Sequence, residues 1–280
     1  MIQSKDLKFK YDEKLVLDGI NIEIKEGEYI CAIGANGSGK TTLALQLNGI
    51  LLPTQGVIYV DNIDTANEEM IFEVRKNVGI VFQNPDNQII SSVVEEDIAF
   101  GPSNLKEEPE AIEKAVEDVL CDVELEGYNK YSTNELSGGQ KQKVAIAGIL
   151  AMRPKYLILD EATSMLDRKN SKQVLQIIKK LNEKYNITII HITHEMEEVS
   201  LSKRVIVFKD GKIILDDTPE KVFKNIKLLK EVGLDIPIAL ELAYELKKAG
   251  FDILNETSIL TCDDFVKNFM KKLEKQGEIM

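Results

Sequence analysis

The 280-residue sequence is 44% hydrophobic and 29% charged, a balance ordinary for a globular chain and long enough for one domain with an appendage or for two. Its formal net charge of −12 argues against nucleic acid as a main partner, because phosphate contacts need clustered Lys and Arg. The longest apolar stretch, residues 144–152, is about half of the ~20 residues that a bilayer span needs, so a membrane role is expected to come through a partner.

In chain order, residues 7–11 and 20–24 alternate as strands, and residues 29–33 form a continuous apolar run expected to be a buried strand. Cys31 lies in that run as a small buried thiol, and the spacing of Cys31, Cys121 and Cys262 makes no metal-ligand pattern. Unpaired thiols fit a cytoplasmic compartment. Residues 41–48 predict a helix ending at Gly49, and residues 57–60 and 78–82 predict further strands. From Pro85 to about Ala151 the pattern is helical, which reads as a separate lobe. Strand character returns at residues 156–159 and 187–193 around a helical stretch at 171–183, the alternation of a mostly parallel α/β sheet. Two short strands around Asp210-Gly211 predict a hairpin with a type I′ turn. Beyond Pro219 the chain is mainly helical, with apolar residues at Leu240, Ala243 and Leu246. Roughly the last sixty residues read as a small appended domain.

Three motifs carry chemistry. Gly34-Ala35-Asn36-Gly37-Ser38-Gly39-Lys40-Thr41 fits G-x-x-x-x-G-K-[ST], a loop whose backbone N–H groups cradle phosphates ahead of a helix N-terminus. Lys40 is expected to reach the β- and γ-phosphates, and the Thr41 hydroxyl to ligate Mg²⁺. The apolar run 156–159 ends in Asp160-Glu161, at the strand end where ligands sit in such sheets. Asp160 is placed to hold Mg²⁺ through water and Glu161 to polarise the attacking water. The third motif, Leu136-Ser137-Gly138-Gly139-Gln140, arises by chance on the order of once in several thousand sequences of this composition, against about once in a hundred for the phosphate loop. The rarer motif is therefore the more specific signal of the two.

Together with Gln83, Ser164-Met165-Leu166-Asp167 and His194, these motifs occur in the order and spacing of ATP-binding-cassette ATPases, and the resemblance covers residues 1–220. It implies an α/β fold: a P-loop NTPase, RecA-like core with an N-terminal antiparallel β subdomain, an inserted helical lobe at about 85–151, and a mainly helical C-terminal extension at 221–280. The nucleotide-binding set is then Gly34, Asn36, Gly37, Ser38, Gly39, Lys40, Thr41 and Thr42. Tyr11 matches the residue that stacks on adenine, and it also fits the inward position of an alternating strand. Gln83 would link Mg²⁺ and the γ-phosphate to the helical lobe. His194 would contact the γ-phosphate and position it against Glu161, whereas His191, inside the strand, reads as structural. Asp167 would communicate between subunits. Met165 and Lys143 depart from the residues commonest at those family positions, without removing a group that hydrolysis requires.

In this family Ser137, Gly138, Gly139 and Gln140 contact the γ-phosphate held by the opposite subunit, from the N-terminus of the helix expected at 140–150. A dimer with a second cassette, the same chain or a homologue, is therefore implied. The segments 82–89 and 94–102 resemble the ATPase components of energy-coupling factor transporters, which take up vitamins or, in related systems, cobalt and nickel. There the segment receives a helix of a transmembrane scaffold protein that works with a substrate-binding membrane subunit, at the cytoplasmic face of the membrane. Glu95, Glu96 and Asp97 are its expected acidic partners, although acidic residues also suit any helix start. The tail from Gly233 to Pro237 and the helix after it resemble the same group's extension, which contributes contacts between the ATPases. Two alternatives remain: the ATPase of a cobalt, nickel or other conventional importer, and a soluble cassette ATPase acting on DNA or ribosomes.

Overall fold

The first strand, β1 (Ile2–Tyr11), turns Ile2, Ser4, Leu7 and Phe9 inward and its lysines outward. The alternation slips between Ser4 and Leu7, where the register shifts and Asp6 adopts a positive φ of 46°. That bulge breaks the period of two, so the sequence shows only the second half of this strand. The structure, a computed structural model, describes residues 1–253 and 259–276. Residues 254–258 and 277–280 of the expected extension lie outside the described residues.

β1 pairs antiparallel with β2 (Lys14–Ile24). Next comes β3 (Tyr29–Gly34), buried along its whole length, which runs through the phosphate loop into α1 (Lys40–Leu47). β4 (Gln55–Val60) and β5 (Ile63–Asp64) complete a four-stranded antiparallel sheet in the order β2-β1-β4-β5. α2 (Ile71–Asn77) leads into β6 (Val78–Val81). β5 has two residues and α2 buries only Val74, so neither carries enough periodicity to be read from sequence.

The inserted lobe is built from α3 (Val94–Asn104), α4 (Pro109–Asp122) and α5 (Gly138–Leu150). The chain then returns to the core through β7 (Tyr156–Asp160), α6 (Arg168–Tyr185), β8 (Thr188–Ile192) and α7 (Met196–Val199). A hairpin of β9 (Arg204–Lys209) and β10 (Lys212–Asp217) closes a six-stranded sheet in the order β10-β9-β3-β8-β7-β6, parallel except at β10. Its two-residue turn places Asp210 at φ 47° and Gly211 at φ 76°, the positive pair that a type I′ turn requires.

Alternate residues of the central strands feed two apolar clusters. Ile30, Ala32, Ile158, Ile190 and Ile192 face α1 and the antiparallel sheet. Cys31, Ile33, Leu157, Leu159 and Ile189 face the lobe and α6. The second cluster also includes Val222, Phe223, Leu229, Leu240 and Ala243, from the segments around α8 (Pro219–Val222), α9 (Ile226–Glu231) and α10 (Ile238–Lys248). The C-terminal helices thus share the core of the parallel sheet, and α11 (Cys262–Gln276) follows them.

Candidate nucleotide-binding site

The phosphate loop is held from behind. Ser38 N–H donates to Ala35 O at 3.1 Å, Gly211 N–H donates to Ser38 O at 3.1 Å, and Asp18 N–H donates to Gly211 O at 2.9 Å. Gly39 adopts φ 107°, and a Cβ there would lie 2.7 Å from Leu17 Cδ2 and 3.0 Å from Val16 O, so glycine is required. The Ser38 hydroxyl is buried without a partner, and the N–H groups of Gly39, Lys40, Thr41 and Thr42 have none among the described residues. These donors, at the positive end of α1, fit the oxygens of a polyphosphate. The Lys40 ammonium is buried and donates to Gly34 O at 2.7 Å and Ala35 O at 3.1 Å. Burial pulls its pKa down, while Glu161 and Asp160 oppose that shift.

The chemistry gathers at the C-terminal ends of β3, β7 and β8. Thr41 Oγ1 donates to Asp160 Oδ1 at 3.0 Å. Burial raises the Asp160 pKa and the Glu161 charge adds to it, against the Thr41 hydrogen bond. Glu161 adopts φ 52°, a left-handed conformation costly for a residue with a side chain. It is pinned there by donating its N–H to Ile192 O at 3.0 Å. The carboxylate then meets His194, with Glu161 Oε1 2.5 Å from His194 Nε2. Gln83 Nε2 donates to Ser164 Oγ at 3.0 Å, and that hydroxyl donates to Glu161 O at 2.8 Å. Thr41 with Asp160, and Gln83 with Glu161 and His194 through Ser164, thus make two sets of contacts that meet at the Asp160-Glu161 pair, close enough to Lys40 for both carboxylates to push its pKa upward against burial. A cavity of about 590 Å³ opens instead at the opposite ends of β7 and β8, lined by Val119, Leu150, Pro154, Leu181 and Ile187, and contains none of these residues.

The segment 136–140 has a different construction. Ser137 caps α5 in a capping box: Gln140 N–H donates to Ser137 Oγ at 3.4 Å, and Ser137 N–H donates to Gln140 Oε1 at 2.9 Å. Ser137 and Gly138 are exposed, and Gly139 is packed so closely on α6 that an added Cβ would lie 2.8 Å from Asn170 Cγ. The helix starts at Gly138, two residues before the start expected from sequence. Among the described residues, 137–140 make no hydrogen bond to the phosphate loop of their own chain. Asp167 caps α6, accepting from the N–H groups of Lys169 and Asn170 at 2.9 Å and from Asn170 Nδ2 at 2.6 Å. The Asn170 bonds hold its carboxyl below the usual carboxylate range.

Residues 17–164 match the family described as ABC transporter. The chain belongs to that family. This cassette is 48% identical over 271 residues to the energy-coupling factor transporter ATP-binding protein EcfA1 of Clostridium novyi, covering 95% of this chain and 96% of that one. It is 47% identical to the cobalt import ATP-binding protein CbiO of Syntrophus aciditrophicus, covering 94% of each. Among solved structures it resembles cbiO1 of Clostridium perfringens, described as part of the ABC transporter complex cbiONQ, with a TM-score of 0.75 and 38% identity over 82% of this chain and 93% of that one. The cassette MJ0796, a dimer in a post-hydrolysis state bound to ADP and phosphate, aligns with a TM-score of 0.70 and 32% identity over 78% of this chain and 99% of that one.

Elsewhere on this cassette, Tyr11 is 45% exposed at the end of β1, edge-on to Phe9 at 4.8 Å, so it is not an inward strand residue. The three acidic residues of α3 have separate surroundings. Glu95 accepts from Asn129 and Lys130, and exposed Glu96 accepts from Ser91 Oγ at 2.8 Å. Asp97 is buried and accepts from the N–H groups of Ile90 and Ser91 at 2.7 and 3.0 Å. Asp97 thus shapes the loop, while Ile90 and Phe100 are left 60% and 53% exposed beside Glu96. Lys143 is buried with its amine 3.7 Å from Glu124 Oε2. Among the described residues, no helix is long and apolar enough to cross a membrane.

Sequence reasoning missed Glu198. It stands in the acidic run Glu195-Met196-Glu197-Glu198 and looks like a solvated face, yet it is 6% exposed beneath the His194 loop. The only sequence signal was His191, a polar residue in an otherwise apolar buried strand, which demands a partner.

Proposed function

We propose that this chain is the ATP-hydrolysing subunit of an energy-coupling factor transporter, paired with a second cassette and seated peripherally on the cytoplasmic face of the membrane. It would power uptake of vitamins or related micronutrients through a transmembrane scaffold protein and a substrate-binding membrane subunit. The observation that carries the reading is Glu161: a carboxylate held in left-handed backbone, 2.5 Å from His194, next to Asp160 and near enough to Lys40 for its charge to push the lysine's pKa upward against burial. Near-full-length identity to EcfA1 proteins supports the transporter class.

On this reading the N–H groups of residues 36–42, with Ser38 and Lys40, bind the β- and γ-phosphates, and Tyr11 stacks on the adenine. Thr41, Asp160 and Gln83 are a hard-oxygen donor set that would hold Mg²⁺, and the ion would supply charge neutralisation at the phosphates. Glu161 orients the attacking water and takes its proton, and His194 holds Glu161 in register with the γ-phosphate. Ser137, Gly138, Gly139 and Gln140 serve the nucleotide of the partner cassette. That role is supported by their exposure at a helix N-terminus and their separation from the phosphate loop of their own chain. Asp167 relays between the two cassettes. Ile90 and Phe100, with Glu95 and Glu96 at the rim and Asp97 fixing the loop, form the groove for the scaffold protein. The net charge of −12 gives no support to a nucleic-acid partner.

A second reading, a cobalt or nickel importer, is favoured by the identity to CbiO and the likeness to cbiO1. Uptake of radiolabelled vitamins and of cobalt and nickel in cells lacking this chain, complemented with wild type or Glu161→Gln, separates the two. Loss of vitamin uptake restored only by wild type is the expected result. Loss confined to metal ions selects the second reading, and unimpaired uptake of all of them overturns both.

A further inference from the structure

Glu198 is a buried carboxylate with no place in the hydrolysis described above, yet it touches several parts of the machinery. Its Oε2 accepts from Thr193 Oγ1 at 2.6 Å and Thr163 Oγ1 at 3.1 Å, and its Oε1 accepts from Ser171 Oγ at 3.1 Å. His191 Nε2 lies 3.3 Å from Oε2, at ion-pair distance. Both oxygens are therefore engaged, as a buried charge demands.

The partners belong to different loops. Thr193 directly precedes His194, and its hydroxyl also accepts from Glu195 N–H at 3.0 Å, so one side chain brackets the histidine. Thr163 follows Glu161 by two residues in the loop to Asp167. Its carbonyl accepts from Leu166 N–H at 3.0 Å. Ser171 is in the first turn of α6, donating its N–H to Asp167 O at 2.9 Å, and its neighbour Asn170 is the residue packed against Gly139. A continuous path of hydrogen bonds and packing thus runs from the His194 loop, through Glu198, to Asp167 and the capped start of α5.

An apolar pair at positions 191 and 198 would fill the same space without desolvating charge, and such replacements are often neutral or stabilising. What the charged hub adds is direction, because hydrogen bonds fix angles that apolar contacts leave free. We propose that Glu198 is a positioning residue that ties the His194 loop to the Asp167 loop and to the 137–140 segment, so that a shift of His194 at one nucleotide is passed to the surfaces that serve the other. The inference rests on the roles of His194, Asp167 and Ser137–Gln140 in the reading above. It goes beyond that reading by naming the element that joins them.

The test uses the transporter complex purified through a tag on this chain, with ATP turnover measured against ATP concentration. Glu198→Gln keeps the size and removes the charge, whereas Ser171→Ala cuts only the link to α6. We expect Glu198→Gln to lower kcat about tenfold with KM within about twofold, and Ser171→Ala to lower it about threefold. The double variant should be no slower than Glu198→Gln alone, since both cut one path. A kcat within twofold of wild type in both single variants, or losses that multiply, overturns the inference. If Glu198→Gln does not fold, Ser171→Ala and Thr163→Val decide it by the same kcat criterion. Glu161→Gln is the control: normal turnover there rejects the hydrolytic site itself. Lost turnover there with Glu198→Gln unchanged rejects only the coupling role.

Discussion

Three residues apart on one strand end, His191 and His194 each meet a glutamate, and the two pairs are built for opposite purposes. His191 is fully buried, with Glu198 on one side and Tyr29 Oη 3.4 Å from its Nδ1. Burial opposes its charging, but contact with the Cys31 sulfur and the Glu198 carboxylate raises its pKa to about 9. His194 is part-exposed just beyond the strand, and its glutamate is held by strained backbone rather than by a shell of hydroxyls. A saturated pair fixes geometry. The part-exposed pair is the one that, on the proposed function, meets a water molecule and a phosphate.

The largest effect that would sharpen this contrast is on turnover. Glu161→Gln should lower steady-state phosphate release by about 10³-fold while equilibrium ATP binding changes by less than about twofold. Normal turnover in that variant removes the distinction between the pairs.

Stability should respond the other way. Glu198→Ala leaves His191 without its counter-charge and should cost about 3 kcal/mol in urea unfolding, whereas Glu161→Ala should stay within about 1 kcal/mol of wild type. Equal losses would show that the open pair is as structural as the buried one.

The pH dependence follows from the raised His191 pKa. Folding lifts it from the ordinary 6.5 to about 9, so the pair contributes fully below about pH 6.5 and loses that contribution as pH climbs through 9. The Glu198 carboxyl is held below its ordinary 4.5; burial works against this, and His191 and the hydroxyls outweigh it. The contribution therefore also fades as the solution becomes acid enough to protonate Glu198. The melting-temperature gap between wild type and His191→Asn should be widest between about pH 5 and 6.5, shrink through neutrality and be smallest near pH 9.5; a constant gap would break the assignment of charge to His191. The smallest effect is expected from Tyr29→Phe, about 1 kcal/mol by the same unfolding assay, because its hydroxyl contact with His191 is long.

Much of the geometry of the candidate nucleotide site was legible because its residues come in local units. Strand, tight loop and helix follow one another within a dozen residues around Lys40, and Asp160-Glu161 directly ends an apolar run. The hairpin at Asp210-Gly211 was equally local, since its φ values depend on two residues. The acidic triplet at Glu95, Glu96 and Asp97 was not. Its residues look interchangeable in sequence, and helix phase together with the loop folded over α3 buries Asp97 alone. Glu198 was hidden for the same reason, inside an acidic run that the fold splits into covered and open positions.

By itself the sequence determined where the motifs lie, the main strands and helices of the parallel-sheet core around them, and which histidine stands inside the strand and which beyond it. The tertiary structure alone decided that Glu198 is buried against the inner histidine, that Asp97 supports a loop, and that the C-terminal helices share the main core. Sequence periodicity records which way a side chain points from its own strand or helix. Desolvation is imposed by whatever covers that side chain from elsewhere in the chain, and no local pattern carries that information.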